Sequence, residues 1–465
     1  MKRLIIIAVY FFAINVSFSQ TITQEFEKAW QQFENDEQVK HAISSLYVID
    51  AATGKVVVDK NSLVGLAPAS TQKIITAATA FELLGKEYRY KTEFFYQGEI
   101  KDSFLNGEII VKGSGDPTLG SWRFPNTKRE SIAFELSNSL RNLKIKKQRG
   151  GIDGIVEKFN DNIPDGWIWQ DIGNYYGAAS YGLNWNENQY DLILSPGKKE
   201  GDPVKLMRTQ PEMLNEFINE LKSGAKNSGD EGYIYFIPGS NANYIRGTVP
   251  CCTDSFIISG SVPDGNYFTL GNVNDILKEN GFKEDNWTTH FYLINSKSEK
   301  PPKEIFTHFS PSLDSIIYWF LRKSINLYGE ALVKTFAYEK NGFGATDTGV
   351  NIVKDFWKQK GLDVNELNLF DGSGLSPLNR VTTHAQVDVL KYAKKQSWFK
   401  YFYDALPEFN GMKMKSGTIS DVKAFCGYQK AKDGKEYIFS FIVNNYDGNT
   451  LSLVNKMYKV LDILK

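Results

Sequence analysis

The chain has 465 residues, beyond the length at which one hydrophobic core usually keeps growing, so two or more domains are expected. Its 54 basic and 54 acidic side chains cancel. That balance removes the positive footprint on which DNA and RNA binders depend, so no nucleic-acid partner is expected.

In chain order, Lys2 and Arg3 precede an apolar run from Leu4 to Val16 and then Ser17-Phe18-Ser19. The run is too short to span a bilayer comfortably, and small residues stand where a signal peptidase would cut after Ser19. Residues 1–19 are therefore expected to be a signal peptide, with export of the mature chain to the periplasm. No later stretch is long and apolar enough to cross a membrane, so at most peripheral membrane association is expected.

Ile22 to Asp36 has helical periodicity, and Ser44 to Asp59 alternates apolar and polar residues around a Thr53-Gly54 turn. The Ala-rich run from Ser70 to Gly85 is nearly all apolar, which predicts a buried helix stopped by the glycine. From about Tyr90 to Pro301 short strands, turn signals and aromatics dominate, which predicts a largely β insert with few long helices. Helical spacing returns at Leu313–Ala337, Thr346–Lys360 and Thr383–Lys395. Met412–Gln429 and Glu436–Asn444 are expected as strands joined at Lys432-Asp433-Gly434, and Leu451–Leu464 as a closing helix. The architecture expected is an α/β (α+β) domain split in sequence, with segments 20–95 and 303–465 enclosing a large, mainly β insert at 96–302. Cys251, Cys252 and Cys426 are an odd count that makes no disulfide framework, and are expected as inert or partly buried thiols.

Three short patterns carry chemistry. Ser70 and Lys73 stand at i and i+3 on one helical face, an alcohol beside an amine that can serve as its base. The same spacing at Ser195–Lys198 and Ser223–Lys226 falls where proline or glycine breaks any helix. Ser324-Ile325-Asn326 lies within the predicted Leu313–Ala337 helix. Lys415-Ser416-Gly417-Thr418 lies in a predicted strand, where Gly417 leaves room for a substrate backbone and Lys415 offers charge to a carboxylate. Lys222-Ser223-Gly224 imitates this last pattern, but its surroundings predict a helix C-cap. His41, His290, His308 and His384 stand outside the patterns and are expected to be structural, and no cluster at metal-ligand spacing occurs.

Each pattern is common alone. Together, in this order, they are the set used by penicillin-binding proteins and serine β-lactamases. The chain most resembles the class C, low-molecular-mass D-Ala-D-Ala carboxypeptidase/endopeptidase family, which also carries a large insert between its first two motifs. Residues 111–119, 166–171, 326–332 and 371–376 extend the likeness over most of the chain. The resemblance implies a serine β-lactamase-like transpeptidase fold and an enzyme acting on peptidoglycan stem peptides, with β-lactams as covalent inhibitors and no cofactor. It implies Ser70 as nucleophile, Lys73 as base, Ser324 as proton relay and Asn326 as holder of the substrate amide. Lys415 would attract the terminal carboxylate. The N–H groups of Ser70 and Thr418, with Ser416 and Gly417 in the same strand, would form the oxyanion hole and substrate wall. Asp171 matches an acidic residue that faces the free amino group of the diamino acid. The chain departs from the family at Pro377, where arginine is frequent, and in a short stretch between Leu406 and Lys415. Two other readings stand beside this one, a β-lactamase or esterase of the same fold and a cell-wall binding protein with a dead site. The oligomeric state is left open.

Overall fold

A computed structural model describes residues 22–213, 215–283, 291–293 and 301–465. The expected signal peptide and His290 lie outside the described residues.

A six-stranded antiparallel sheet is built from both ends of the chain. Its order is Glu408–Phe409, Met412–Ile419, Val422–Lys430, Glu436–Asn444, Ile43–Asp50, Val56–Lys60. Alternation along Ile43–Asp50 sends Leu46 and Val48 to one face and Tyr47 and Ile49 to the other, and both faces are covered. On the first face the amphipathic helices Ile22–Glu34 and Thr450–Leu461 seal a core around Phe26, Trp30 and Phe441. On the second lies a larger helical layer, centred on Lys73–Leu83. Every residue of this helix from Lys73 to Phe81 is buried, which is why its sequence is apolar all round rather than striped. Among the described residues no helix is long and apolar enough to cross a membrane.

The excursion between the two halves begins and ends as a strand pair. Lys91–Lys101, which spans the expected boundary at 96, and Lys303–Phe309, which begins just after that at 302, run antiparallel. They join a mixed sheet packed by helices Arg129–Asn142 and Gly265–Glu279 around Ile109, Leu136 and Leu270. These are two long helices in a region whose turn-rich sequence predicts few. A second core, around Tyr190, Ile234 and Ile258, joins two smaller sheets.

Several expectations change. The helix expected over Leu313–Ala337 is two helices, Leu313–Arg322 and Asn326–Asn341, because Ser324 takes a left-handed φ of 58° between them. Met412–Gln429 is a hairpin turned at Asp421, whose φ is 56°. Lys222–Gly224 is a strand paired with Thr248–Pro250, not a helix cap. Cys251 and Cys252 form a vicinal disulfide rather than two thiols, while Cys426 is a buried free thiol.

Two buried charges tie the excursion to helix Asn326–Asn341. Lys334 donates to the carbonyls of Ser180 at 2.6 Å and Asn160 at 2.8 Å, and burial lowers its pKa to about 8. Glu187 accepts from the Tyr328 hydroxyl at 2.8 Å, the Ser121 hydroxyl at 2.8 Å and Arg123 Nε at 2.7 Å. Its backbone is one of three consecutive left-handed residues, Asn186 to Asn188, with φ of 53°, 53° and 52°. Such residues cost about 1–3 kcal/mol each and persist only where surrounding contacts hold them. Here the Asn188 amide does so, accepting from Trp185 N and donating to Ala179 O.

Glu187→Ala would strand the Arg123 guanidinium and the Tyr328 hydroxyl, and urea unfolding should show a loss of about 2–4 kcal/mol. Tyr328→Phe, which leaves the ion pair intact, should lose about 1 kcal/mol. Equal, near-zero losses would show that this joint does not hold the two parts together.

Candidate active site

The Ser70 turn is set by its neighbours. Ala69–Gln72 form a single 3-10 turn that runs directly into helix Lys73–Leu83. Ala69 takes a left-handed φ of 46°, and Thr71 N and Oγ1 both donate to Pro68 O. Strand Met412–Ile419 lies hard against this turn. A Cβ added to Gly417 would come within 2.6 Å of Pro68 O and 3.0 Å of Ser70 N, so a larger residue would push the strand off the turn.

Lys73 is fully buried and its Nζ has three partners: Ser70 Oγ at 2.9 Å, Asn326 Oδ1 at 2.6 Å and Ser373 O at 2.7 Å. Burial and then the charge of Lys415 hold its pKa well below the ordinary lysine range, against the opposing pull of Asp371 and Glu330. An amine that gives up its proton this readily is suited to take one from a hydroxyl at hydrogen-bond distance. Glu330, one turn along from Asn326, is itself raised to about 8 by burial and then by Asp371, so below that pH it does little to fix charge on Lys73.

Ser324 reaches the site from the turn between the two helices, and its Oγ accepts from Lys415 Nζ at 2.9 Å. Asn326 opens the following helix and is held at both ends, since its Nδ2 donates to Tyr176 O at 2.7 Å. It keeps one further donor and one further acceptor for a substrate peptide group. Lys415 is 1 % exposed, and its second bond goes to Ser416 O at 2.7 Å. Burial brings its pKa to about 7.

These residues open on a pocket of about 420 Å³. Ser70, Ser324, Asn326 and Thr418 line it, together with Asp171, Tyr175, Tyr176 and Tyr233 from the excursion. Asp171 thus faces the same space as Ser70, and burial raises its pKa to about 6. Pro377 also lines the pocket, whereas Arg380 is bonded to the carbonyls of Pro377 and Asn379. The short stretch before Lys415 closes as a tight hairpin over Asn410-Gly411 and contributes nothing to the pocket walls.

The motifs alone do not reveal the groups that hold them. Asp371 is the main one: its carboxylate accepts from Trp167 Nε1, Gln72 Nε2, Asn379 Nδ2 and the N–H groups of Gly374 and Ser376. This network fixes the loop whose Ser373 carbonyl meets Lys73. Asp371 and Trp167 fall inside the family-like stretches, which was their only signal. Tyr176, whose contribution is a backbone carbonyl, has none.

Comparison with known proteins bears on the whole arrangement. The profile of the D-Ala-D-Ala carboxypeptidase 3 (S13) family matches residues 27–408, a span that includes Ser70, Lys73, Ser324 and Asn326 and ends before Lys415. The D-alanyl-D-alanine carboxypeptidase of Actinomadura sp. (strain R39) is 27% identical over 450 residues, covering 89% of this chain and 80% of its own. Penicillin binding protein 4 (dacB) from Haemophilus influenzae superposes with a TM-score of 0.78 at 20% identity, over 94% of this chain and 98% of its own. The same protein complexed with a β-lactam gives 0.74 at 19% identity, over 95% and 99%. The fold is therefore that of a penicillin-binding protein.

If Lys73 is the base, covalent labelling of Ser70 by an acylating agent should speed up as pH rises through the lowered Lys73 titration and then level off. Lys73→Met should slow labelling by roughly 10²-fold or more and remove the rise. Intact-mass kinetics across neutral to alkaline pH would show it; a wild-type rate flat with pH would exclude a titrating Lys73.

Proposed function

This chain belongs to the D-Ala-D-Ala carboxypeptidase 3 (S13) family, and we propose that Ser70 is the nucleophile of its hydrolytic cycle. The chain is a D-alanyl-D-alanine carboxypeptidase of the penicillin-binding kind. The observation that best supports the site assignment is that Ser70, which lines the pocket, holds its hydroxyl 2.9 Å from the fully buried Lys73 amine.

In the proposed cycle, the Ser70 proton passes to neutral Lys73 as Oγ bonds to the carbonyl carbon of the penultimate D-Ala. The negative charge that develops on the carbonyl oxygen would meet the N–H groups of Ser70 and Thr418, a pairing supported by the close approach of the preceding residue, Gly417, to the Ser70 turn. Asn326 holds the peptide group with its remaining donor and acceptor. When the C–N bond breaks, the proton that Lys73 took from Ser70 leaves with the amine, with Ser324, which lines the pocket and accepts from Lys415, as the proposed relay. Water then adds its hydroxyl to the acyl carbon, its proton passes to the again neutral Lys73, and as the ester bond breaks that proton returns to Ser70 Oγ. Cutting a cross-link is the same reaction with a longer leaving group. β-Lactams would be trapped at the ester stage, and the substrate would be the peptidoglycan stem peptide met in the periplasm.

Penicillin should therefore add one covalent equivalent to the wild type and none to Ser70→Ala, and only the wild type should release D-Ala from a stem peptide. An adduct that survives Ser70→Ala would overturn the assignment.

Asp171 is proposed to hold the free ammonium of the diamino acid. Its pKa of about 6 means the carboxylate is charged above that pH and lost as pH falls through it. The gain in kcat/KM from a free side-chain amine should accordingly fade below about pH 6. Asp171→Asn should cost about 1–3 kcal/mol on the amine-bearing peptide and leave a simple D-Ala-D-Ala dipeptide nearly unaffected. A wild type that does not distinguish the free amine from its acetylated form would rule this role out.

A further inference from the structure

A carboxypeptidase must recognise a free terminal carboxylate, and a buried, occupied amine is poorly placed to meet one. Lys415 is 1 % exposed and directs its ammonium at Ser324 Oγ and Ser416 O. The neighbouring strand offers a second cation. Lys423 stands directly opposite Thr418 in the antiparallel register, so the two side chains share a face of the sheet. Its side chain reaches across one strand, and Nζ donates to Thr418 Oγ1 at 2.8 Å. Nζ also lies 4.9 Å from the centroid of the Phe425 ring, which helps hold it there. Thr418 lines the Ser70 pocket.

Because the Thr418 oxygen already accepts from an ammonium, its own proton is free for an acceptor in the pocket, and the charge behind it makes it a stronger donor. With the scissile carbonyl between the N–H groups of Ser70 and Thr418, the carboxylate of the residue beyond the scissile bond would lie toward the Thr418 side chain. We propose that Lys423, together with the Thr418 hydroxyl, is the group that reads the terminal carboxylate of the substrate, while Lys415 holds Ser324 and supplies charge only from behind the wall. Burial lowers the Lys423 pKa to about 8, so the side chain is mostly charged at neutral pH. The remaining donors of its ammonium are available to the carboxylate directly.

This inference rests on the proposed Ser70 reaction, and the experiment separates the two. Full-length wild type, Lys423→Met and Lys423→Arg are compared on a stem-peptide mimic ending in D-Ala-D-Ala as the free acid and as the C-terminal amide, with penicillin labelling of Ser70 measured in parallel. Lys423→Met should lose about 10- to 100-fold in kcat/KM on the free acid, chiefly through KM. The amide should be turned over equally by wild type and Lys423→Met, and Lys423→Arg should recover most of the loss. Unchanged kinetics of Lys423→Met on the free acid, or equal losses on acid and amide, would overturn the role of Lys423 while leaving the Ser70 reaction standing. A wild type that neither labels at Ser70 nor releases D-Ala would overturn both.

Discussion

Burying the Lys73 amine without leaving it unsatisfied is the constraint on which the rest of the site depends. An ammonium or amine removed from water must recover its hydrogen bonds or cost several kcal/mol. Here the three acceptors come from Ser70 one turn away, from Asn326 and from the Ser373 carbonyl, the last two 253 and 300 residues along the chain. Satisfying one nitrogen therefore brings the Ser70 turn, the start of helix Asn326–Asn341 and the 371–376 loop to a single point. Each of these is held in turn, the loop by Asp371 and Asn326 by the Tyr176 carbonyl.

The excursion belongs to this geometry. Tyr176 comes from it, as do Asp171 and Tyr233, which also line the pocket. Its position against the helices is fixed by Lys334 and Glu187, both buried in helix-to-excursion contacts with their charges met by several partners. A rigid joint matters more here than a stable one. A wall that shifted would release the Asn326 amide, and with it one of the three bonds on Lys73. The left-handed run at Asn186–Asn188 is consistent with this priority, since local backbone preference is overridden where the carboxylate must reach Tyr328.

What could be read from the sequence follows from what leaves a periodic or spaced trace. Ser70 and Lys73 were visible because i and i+3 face the same way whether a turn is α or 3-10. The strand carrying Lys415 and Gly417 was visible as a β-rich run with a glycine inside it. The break at Ser324 was not, because helical periodicity continues on both sides and a serine in the left-handed region has no sequence signature. The hairpin turn at Asp421 was hidden in the same way. Lys222-Ser223-Gly224 passed as a cap because its strand pairing is with residues about 26 positions away, a relation that no local window contains. The disulfide between Cys251 and Cys252 was also beyond reading from an odd cysteine count.

Two lysines in one site raise the question of which carries the charge. Lys73 and Lys415 are both sealed from solvent, and the charge of Lys415 is one of the causes that lower Lys73. Two neighbouring buried ammonium groups disfavour each other, so a proton on either keeps the other in its neutral, proton-accepting form. Neither carries a buried carboxylate as a hydrogen-bonded partner: Lys73 bonds to neutral oxygens, and Lys415 to a hydroxyl and a carbonyl. A carboxylate in direct contact would lock the proton in place and remove the base. Asp371 and Glu330 act on Lys73 through space only, the first engaged by five donors of its own and the second raised to about 8. The site therefore keeps its protons mobile by surrounding its amines with neutral acceptors, which is what a cycle that takes a proton from a hydroxyl and returns one to a leaving amine requires.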